Sequence, residues 1–311
     1  MIAPERTAVT WEVRDPSFDT HGDLTVERLF AAGRWLEGPA YSPSWRCLLF
    51  SDIPNDRVLR WDELSGETTV FQSPAGFANG RTIDRLGRVV TCEQGERRVT
   101  RTEHDGSVRV VADRWEGRQF NSPNDIVETA DGSLWFTDPS YGIDSDYEGH
   151  RADAEIGGCH LYRVPPRGEM RRVLGDFERP NGLAFSADEQ QLFVVDTRRR
   201  HVRRFAVDRR GALEDLGVLV ECDAGSYDGV RLDDRGRLWL AAHDGLHCVE
   251  PETGQIVGKL LLPEICSNLT FGGPRGNRLF VTATTSIYSL MLNIRGGTRP
   301  MEVQVPTERI S

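Results

Sequence analysis

The sequence predicts an all-β protein, a six-bladed β-propeller, and three observations carry that prediction. One segment grammar recurs six times along the 311 residues. Within each recurrence, strand-length apolar or alternating runs are broken by Gly/Asp/Asn turns. No sustained stretch shows the 3.6-residue period of a helix.

Each unit opens on a short apolar strand, as in EGPAYS, PNDIVE, PNGLAF and YDGVRL. A polar turn follows (DRLG, ADG, ADEQ, DDRG). The second strand is the most apolar: RVVTC, SLWFTD, QLFVVD, RLWLAA, RLFVTA. The third often alternates (RVLRWD, RVTRTE, HVRRFAV), and the fourth is variable. The units begin at Glu37, Asn79, Asn124, Asn181, Asp228 and Asn268, in steps of 40 to 57 residues. The longest step carries an insertion at 141–159, expected to form a lid loop over a channel mouth. Four short strands in about 45 residues, repeated six times, is the signature of a propeller. A pair of β-sandwiches is the structural alternative. One domain, 1–311, then accounts for the chain. Residues 1–36 remain as an extension, in which LTVERLF is expected to supply the outer strand that closes the last blade.

Composition narrows the partners. The formal charge is −10, from 38 Lys and Arg against 48 Asp and Glu. Such a chain argues against nucleic acid and anionic membranes. The run Arg198-Arg199-Arg200 with Arg203-Arg204 reads as a solvated turn and outer strand. No segment approaches the roughly 18 apolar residues of a membrane span. The N-terminus lacks the basic-then-apolar order of a signal peptide. A cytoplasmic protein is expected, a monomer or weak dimer. The six cysteines form no C-x-x-C and are expected buried and reduced.

The innermost strands of a propeller ring a central axis, so residues at one phase of the repeat converge there. At the opening of the six units stand Glu37, Asn79, Asn124, Asn181, Asp228 and Asn268, two carboxyl and four carboxamide side chains. Asn-Gly and Asp-Gly are ordinary turn signals, but six side-chain oxygens at one phase point to a hard cation. Ca²⁺ fits best, with Mg²⁺ or Mn²⁺ as alternatives; Zn²⁺ is disfavoured because no His or Cys shares the phase.

Other chemistries find little support. There is no G-x-S-x-G elbow and no H-E-x-x-H. FGGPRGN lacks the order of a dinucleotide loop. His243 and His247 flank a turn between strands instead of sharing a helix face. Asp144, Asp146, Glu148, Gly149 and Glu155 follow the order of an EF-hand loop, but no flanking helices are evident and Arg151 occupies the usual apolar position.

The segments LEGPAYSPSWRCLLFSDI, FNSPNDIVETADGSLWFTDPSYGI, RPNGLAFSADEQQLFVVDT and YDGVRLDDRGRLWLAA resemble the gluconolactonase branch of the family of senescence marker protein-30, gluconolactonases and luciferin-regenerating enzymes. The resemblance runs from about Arg34 to Leu290. It implies a six-bladed propeller with a catalytic divalent cation on its axis. The matched ligands are Glu37, Asn181 and Asp228, with Asn124 contacting the metal directly or through water and substrate. The senescence-marker branch has Arg two places before its pocket Asn; here Ser122 stands there. Arg118 or Asn121 would have to substitute, and Tyr141 and Asp138 are further candidates to face substrate. The reaction so implied is hydrolysis of a small sugar lactone, glucono-1,5-lactone being the type, with the cation as Lewis acid. Asp228 is the expected general base, a cation-bound hydroxide or Glu37 being the alternatives. A phosphotriesterase-like activity and a non-catalytic binding scaffold are the rival functions.

Overall fold

The computed structural model describes residues 5–297. Six antiparallel sheets follow one another along the chain as the six blades of a propeller. Blade 1 comprises Leu36–Ser42, Cys47–Asp52, Arg57–Asp62 and Thr68–Gln72. Blade 2 comprises Ala78–Ile83, Val89–Glu93, Arg98–Thr102 and Val108–Ala112. A two-residue ribbon, Arg114–Trp115 with Arg118–Gln119, leads to blade 3, built from Ile126–Glu128, Leu134–Asp138, Cys159–Val164 and Arg171–Phe177. Blade 4 is Pro180–Phe185, Gln191–Asp196, His201–Val207 and Leu213–Glu221. Blade 5 opens with Val230–Leu232, Leu238–Ala242, Gly245–Val249 and Ile256–Leu261. Blade 6 takes Cys266–Gly272, Arg278–Ala283 and Ile287–Met291 from the end of the chain.

The fourth strand of blade 6 comes from the beginning. Thr25–Phe30 pairs antiparallel with Ile287–Met291, Glu27 standing opposite Ser289. Joining the two ends in one sheet removes the open edges that a linear array would leave. Two further strands have no counterpart in the sequence reading. Glu5–Ala8 extends blade 6 beyond Thr25–Phe30, and Thr10–Val13 adds a fifth strand to blade 5. Trp11 holds the latter in place, its ring 5.7 Å from Phe18 and 6.4 Å from Trp239. At four residues each, these strands are too short to show a periodic pattern.

The core lies between blades. Trp135 of blade 3 meets Phe185 of blade 4 at 5.2 Å, and Phe280 of blade 6 meets Tyr41 and Trp61 of blade 1 at 5.7 and 5.5 Å. Second strands have neighbours on both faces and are buried throughout in blades 1, 3 and 5. This explains why they read as continuous apolar runs instead of alternating ones. All six cysteines are buried and free. Among the described residues no helix is long and apolar enough to cross a membrane.

The insertion in blade 3 is one helical turn, Tyr141–Asp144, followed by irregular chain as far as Gly158. It does not form an EF-hand. Asp144 pairs with Arg179, Asp146 accepts the amide of Arg151, and Glu155 accepts the amide of Gln119. Among the described residues these carboxylates form no common cluster.

Candidate functional site

The six residues that open the units all lie at the entry to the innermost strands. Their position is set by hydrogen bonds that run from blade to blade. Gly80 N–H donates to Asn124 O at 2.8 Å, Gly182 N–H to Asp228 O at 3.1 Å, and Gly229 N–H to Ser267 O at 2.8 Å. Hydroxyls on the second strands add to this: Ser51 Oγ donates to Asn79 O and Thr137 Oγ1 to Asn181 O, each at 2.9 Å. The contact is too close for a side chain. A Cβ at Gly38 would lie 2.0 Å from Asn79 O, and one at Gly229 would lie 2.2 Å from Asn268 Oδ1. The glycines that read as turn signals are therefore also where neighbouring inner strands touch.

The ring side chains divide by what they bond. Glu37 Oε2 accepts Gly38 N–H at 2.7 Å and Asn268 Nδ2 at 3.2 Å, while Oε1 has no donor among the described residues. Asn79 Nδ2 donates to Gln94 Oε1, and Asn181 Nδ2 to Thr197 Oγ1, both at 3.1 Å. Asn124 is only 4% exposed, yet its side chain bonds to no described residue. Asp228 Oδ1 is buried with no hydrogen-bond partner among the described residues. Unpaired buried oxygens of this kind are rare and costly. Among the six ring residues only Asp228 has such an atom, and with Glu37 Oε1 and the Asn124 side chain, which bond to no described residue, it forms a set of oxygen donors suited to a hard cation.

Electrostatics agree. Burial raises the pKa of Glu37, and the charges of Asp125 and Glu148 raise it further. Asp228 is driven up by burial and then by the charges of Glu37, Glu148 and Asp125. Beneath the ring, Arg231 pairs with Asp125 at 3.1 Å. Arg81, fully buried, donates to Gly38 O and Ser51 Oγ at 2.5 and 2.6 Å. These two guanidiniums are engaged by other groups, and among the described residues Glu37, Asp228 and Glu148 have no ion pairs of their own. A raised folded-state pKa means stability that is full below the unfolded value and is lost as the group ionises. Glu148 and Asp138, both pushed up to about 7 by burial, shift the same way. Cation-free protein should accordingly melt at progressively lower temperature between about pH 4 and about pH 8. Saturating Ca²⁺ should flatten that slope. Calorimetric melts at several pH values check this.

The structure places the remaining candidates unevenly. Tyr141, on the insertion's helical turn, has its ring under the Arg179 guanidinium at 5.1 Å. Burial and then the charge of Asp228 raise the pKa of its hydroxyl, which places it beside the ring. Asp138 has another task. Its two oxygens accept the amides of Asn121 and Ser122 at 3.0 and 2.8 Å. Asp52 and Asp196 end their own second strands and clamp the incoming chain alike, accepting the amides of Arg34 and of Glu178 and Arg179. Asp138, expected from the sequence to face substrate, thus has both oxygens engaged in the clamp that the repeat forms at this position. Asn121 Nδ2 is likewise engaged, by the carbonyls of Asp138 and Gly158, although its Oδ1 is unpaired. Arg118 is exposed on the ribbon and reaches the Glu155 carbonyl of the insertion.

Two residues near the ring escaped the sequence reading. Gln94 joins Asn79 to the insertion, its Nε2 donating to the Glu148 carbonyl at 3.1 Å. Glu148 itself stood in the motif that resembled an EF-hand, and its link to the axis depends on the loop's path. Elsewhere, Asp223, Asp244 and His247 come together as metal ligands might be arranged, but the Lys259 ammonium already sits between them, 2.7 Å from Asp223 and 2.9 Å from Asp244. A cavity of about 530 Å³ lies at the far ends of the inner strands, lined by Tyr41, Ile83, Glu128, Phe185 and Phe271. None of the ring residues lines it.

The gluconolactonase of Zymomonas mobilis is 29% identical over 301 residues, spanning 88% of this chain and 83% of that protein. The solved structure of a Xanthomonas campestris gluconolactonase superposes with a TM-score of 0.87 at 33% identity, covering 94% of this chain and 98% of that one. A calcium-binding regucalcin from Agrobacterium tumefaciens shares the fold, with a TM-score of 0.72 at 19% identity over 88% of this chain and 94% of its own. The SMP-30/Gluconolactonase/LRE-like region matches residues 35–285, and the chain belongs to that family.

Proposed function

We propose that this lactonase opens a sugar lactone of the glucono-1,5-lactone type, with a divalent cation, Ca²⁺ by preference, held by Glu37, Asn124, Asn181 and Asp228. The carrying observation is the set of oxygen donors left unpaired at one end of the channel, above all the buried, partnerless Asp228 Oδ1. A cation bound there would balance the carboxylates and polarise the substrate carbonyl as a Lewis acid. The chain's residues do the rest. Asp228 takes the proton of the attacking water at its carboxylate and returns it to the ring oxygen as the ester bond breaks. Asn124 and the Tyr141 hydroxyl orient the substrate through hydrogen bonds. The insertion overhangs the mouth and limits access of bulk water. Two relatives that are gluconolactonases, one 29% and one 33% identical, support the substrate class.

The test is a substrate panel under one cation condition. Proton release should be fastest with glucono-1,5-lactone or a pentonolactone and at least about tenfold slower with unsubstituted δ-valerolactone. An aryl phosphotriester should turn over more slowly still. Faster hydrolysis of the phosphotriester would move the assignment to the rival ester class.

A further inference from the structure

We propose that Glu148, carried by the insertion, is a further cation-binding residue, so that the ion joins the lid to the propeller. This rests on the cation reading above and extends it to a residue outside the repeat.

Three contacts bring this stretch of the insertion over the mouth. Gln94 Nε2 donates to the Glu148 carbonyl, while Gln94 Oε1 accepts from Asn79 of the ring, so a single side chain ties lid to ring. His150 sets its ring edge-on to Phe77 of the neighbouring blade at 5.1 Å. Tyr147 lies under the Arg34 guanidinium at 5.4 Å, at the entry to blade 1. Gly149 packs so tightly on Gly142 that a Cβ would stand 2.1 Å from the Gly142 carbonyl oxygen. The main chain at 147–150 is thus anchored across blades 1 and 2.

The Glu148 carboxylate, by contrast, bonds to no described residue. It is close enough to Glu37 and Asp228 for its charge to raise both. Three carboxylates without ion pairs would then share one enclosed mouth, next to an Asn124 side chain that also lacks a partner. Burying such charges without compensation is expensive. A dication would balance two of them, and Glu148 would reach it directly or through water. Without a cation the same carboxylates repel, and the lid loses a reason to stay closed.

The test is calcium titration by calorimetry on wild type, Glu148→Gln and the control Asp153→Asn, which removes an exposed charge from the same insertion. Hydrogen exchange of residues 145–150 is followed with and without Ca²⁺. The expected result is at least tenfold weaker binding in Glu148→Gln, unchanged affinity in Asp153→Asn, and Ca²⁺-dependent protection of 145–150 in wild type that Glu148→Gln lacks. Melting curves of the cation-free proteins establish that each variant folds. Equal affinity in Glu148→Gln would overturn this inference and leave the ring site standing. Equal weakening in both variants would also overturn it, since net charge alone would explain the effect. Failure of wild type to bind Ca²⁺, Mg²⁺ or Mn²⁺ would overturn the cation reading itself, and this inference with it.

Discussion

Asp228→Asn should lower kcat for the sugar lactone by about a thousandfold, within the range attributed to a positioned general base, while the protein remains folded. The substitution keeps the shape of the side chain and its place beside the Gly229 contact with Ser267. It removes the proton acceptor and one negative charge. Because the native carboxylate is destabilised by burial and by the charges of Glu37, Glu148 and Asp125, the cation-free variant should melt no lower than wild type. Loss of turnover with retained melting separates a chemical role from a structural one. Stopped-flow proton release and a calorimetric melt are sufficient. Near-normal kcat would assign the proton transfer to another group, Glu37 first.

Glu37→Ala should weaken divalent-cation binding by at least about 100-fold, the upper end of what even outer-shell changes cost. Turnover at limiting cation should fall in proportion. Among the described residues Glu37 is tied to the ring on one oxygen only, by Gly38 N–H and Asn268 Nδ2, which leaves its other oxygen for the proposed ion. Truncation strands those two donors, at about 1–3 kcal/mol, but also relieves repulsion with Asp125 and Glu148. The net change in cation-free stability should therefore be small. Excess cation should restore part of the activity, which it could not do if the variant were misfolded. Titration calorimetry and an activity curve against cation concentration check both halves.

The propeller was legible because its repeat imposes one grammar six times. Continuous apolar second strands, polar turns and alternating third strands each have a direct counterpart in the sheets. The phase argument selected the six residues at the entry to the inner strands, since convergence on an axis follows from the fold once the repeat is recognised. What escaped depends on non-periodic contacts. Thr10–Val13 is specified by Trp11 meeting Phe18 and Trp239, a tertiary contact with no local signature. Asp138 suggested a substrate-facing carboxylate because it stands at the outlet of its strand; that Asp52, Asp138 and Asp196 all hold the incoming chain from this position depends on backbone amides that the repeat does not display. Gln94 and Glu148 acquire meaning only through the path of the insertion, which no repeat predicts. The Asn-Gly and Asp-Gly pairs reported more than turns, because close contact between inner strands also excludes a Cβ.

The most direct test of the central claim is proton release from glucono-1,5-lactone by chelator-treated protein, with and without added Ca²⁺, Mg²⁺, Mn²⁺ or Zn²⁺, against an enzyme-free blank for spontaneous opening. The account predicts a rate near the blank after chelation and recovery with a hard cation, Ca²⁺ foremost. Full activity in thoroughly chelated protein would contradict a cation-dependent reaction at the ring, and no rate above the blank with any ion would contradict glucono-1,5-lactone as substrate.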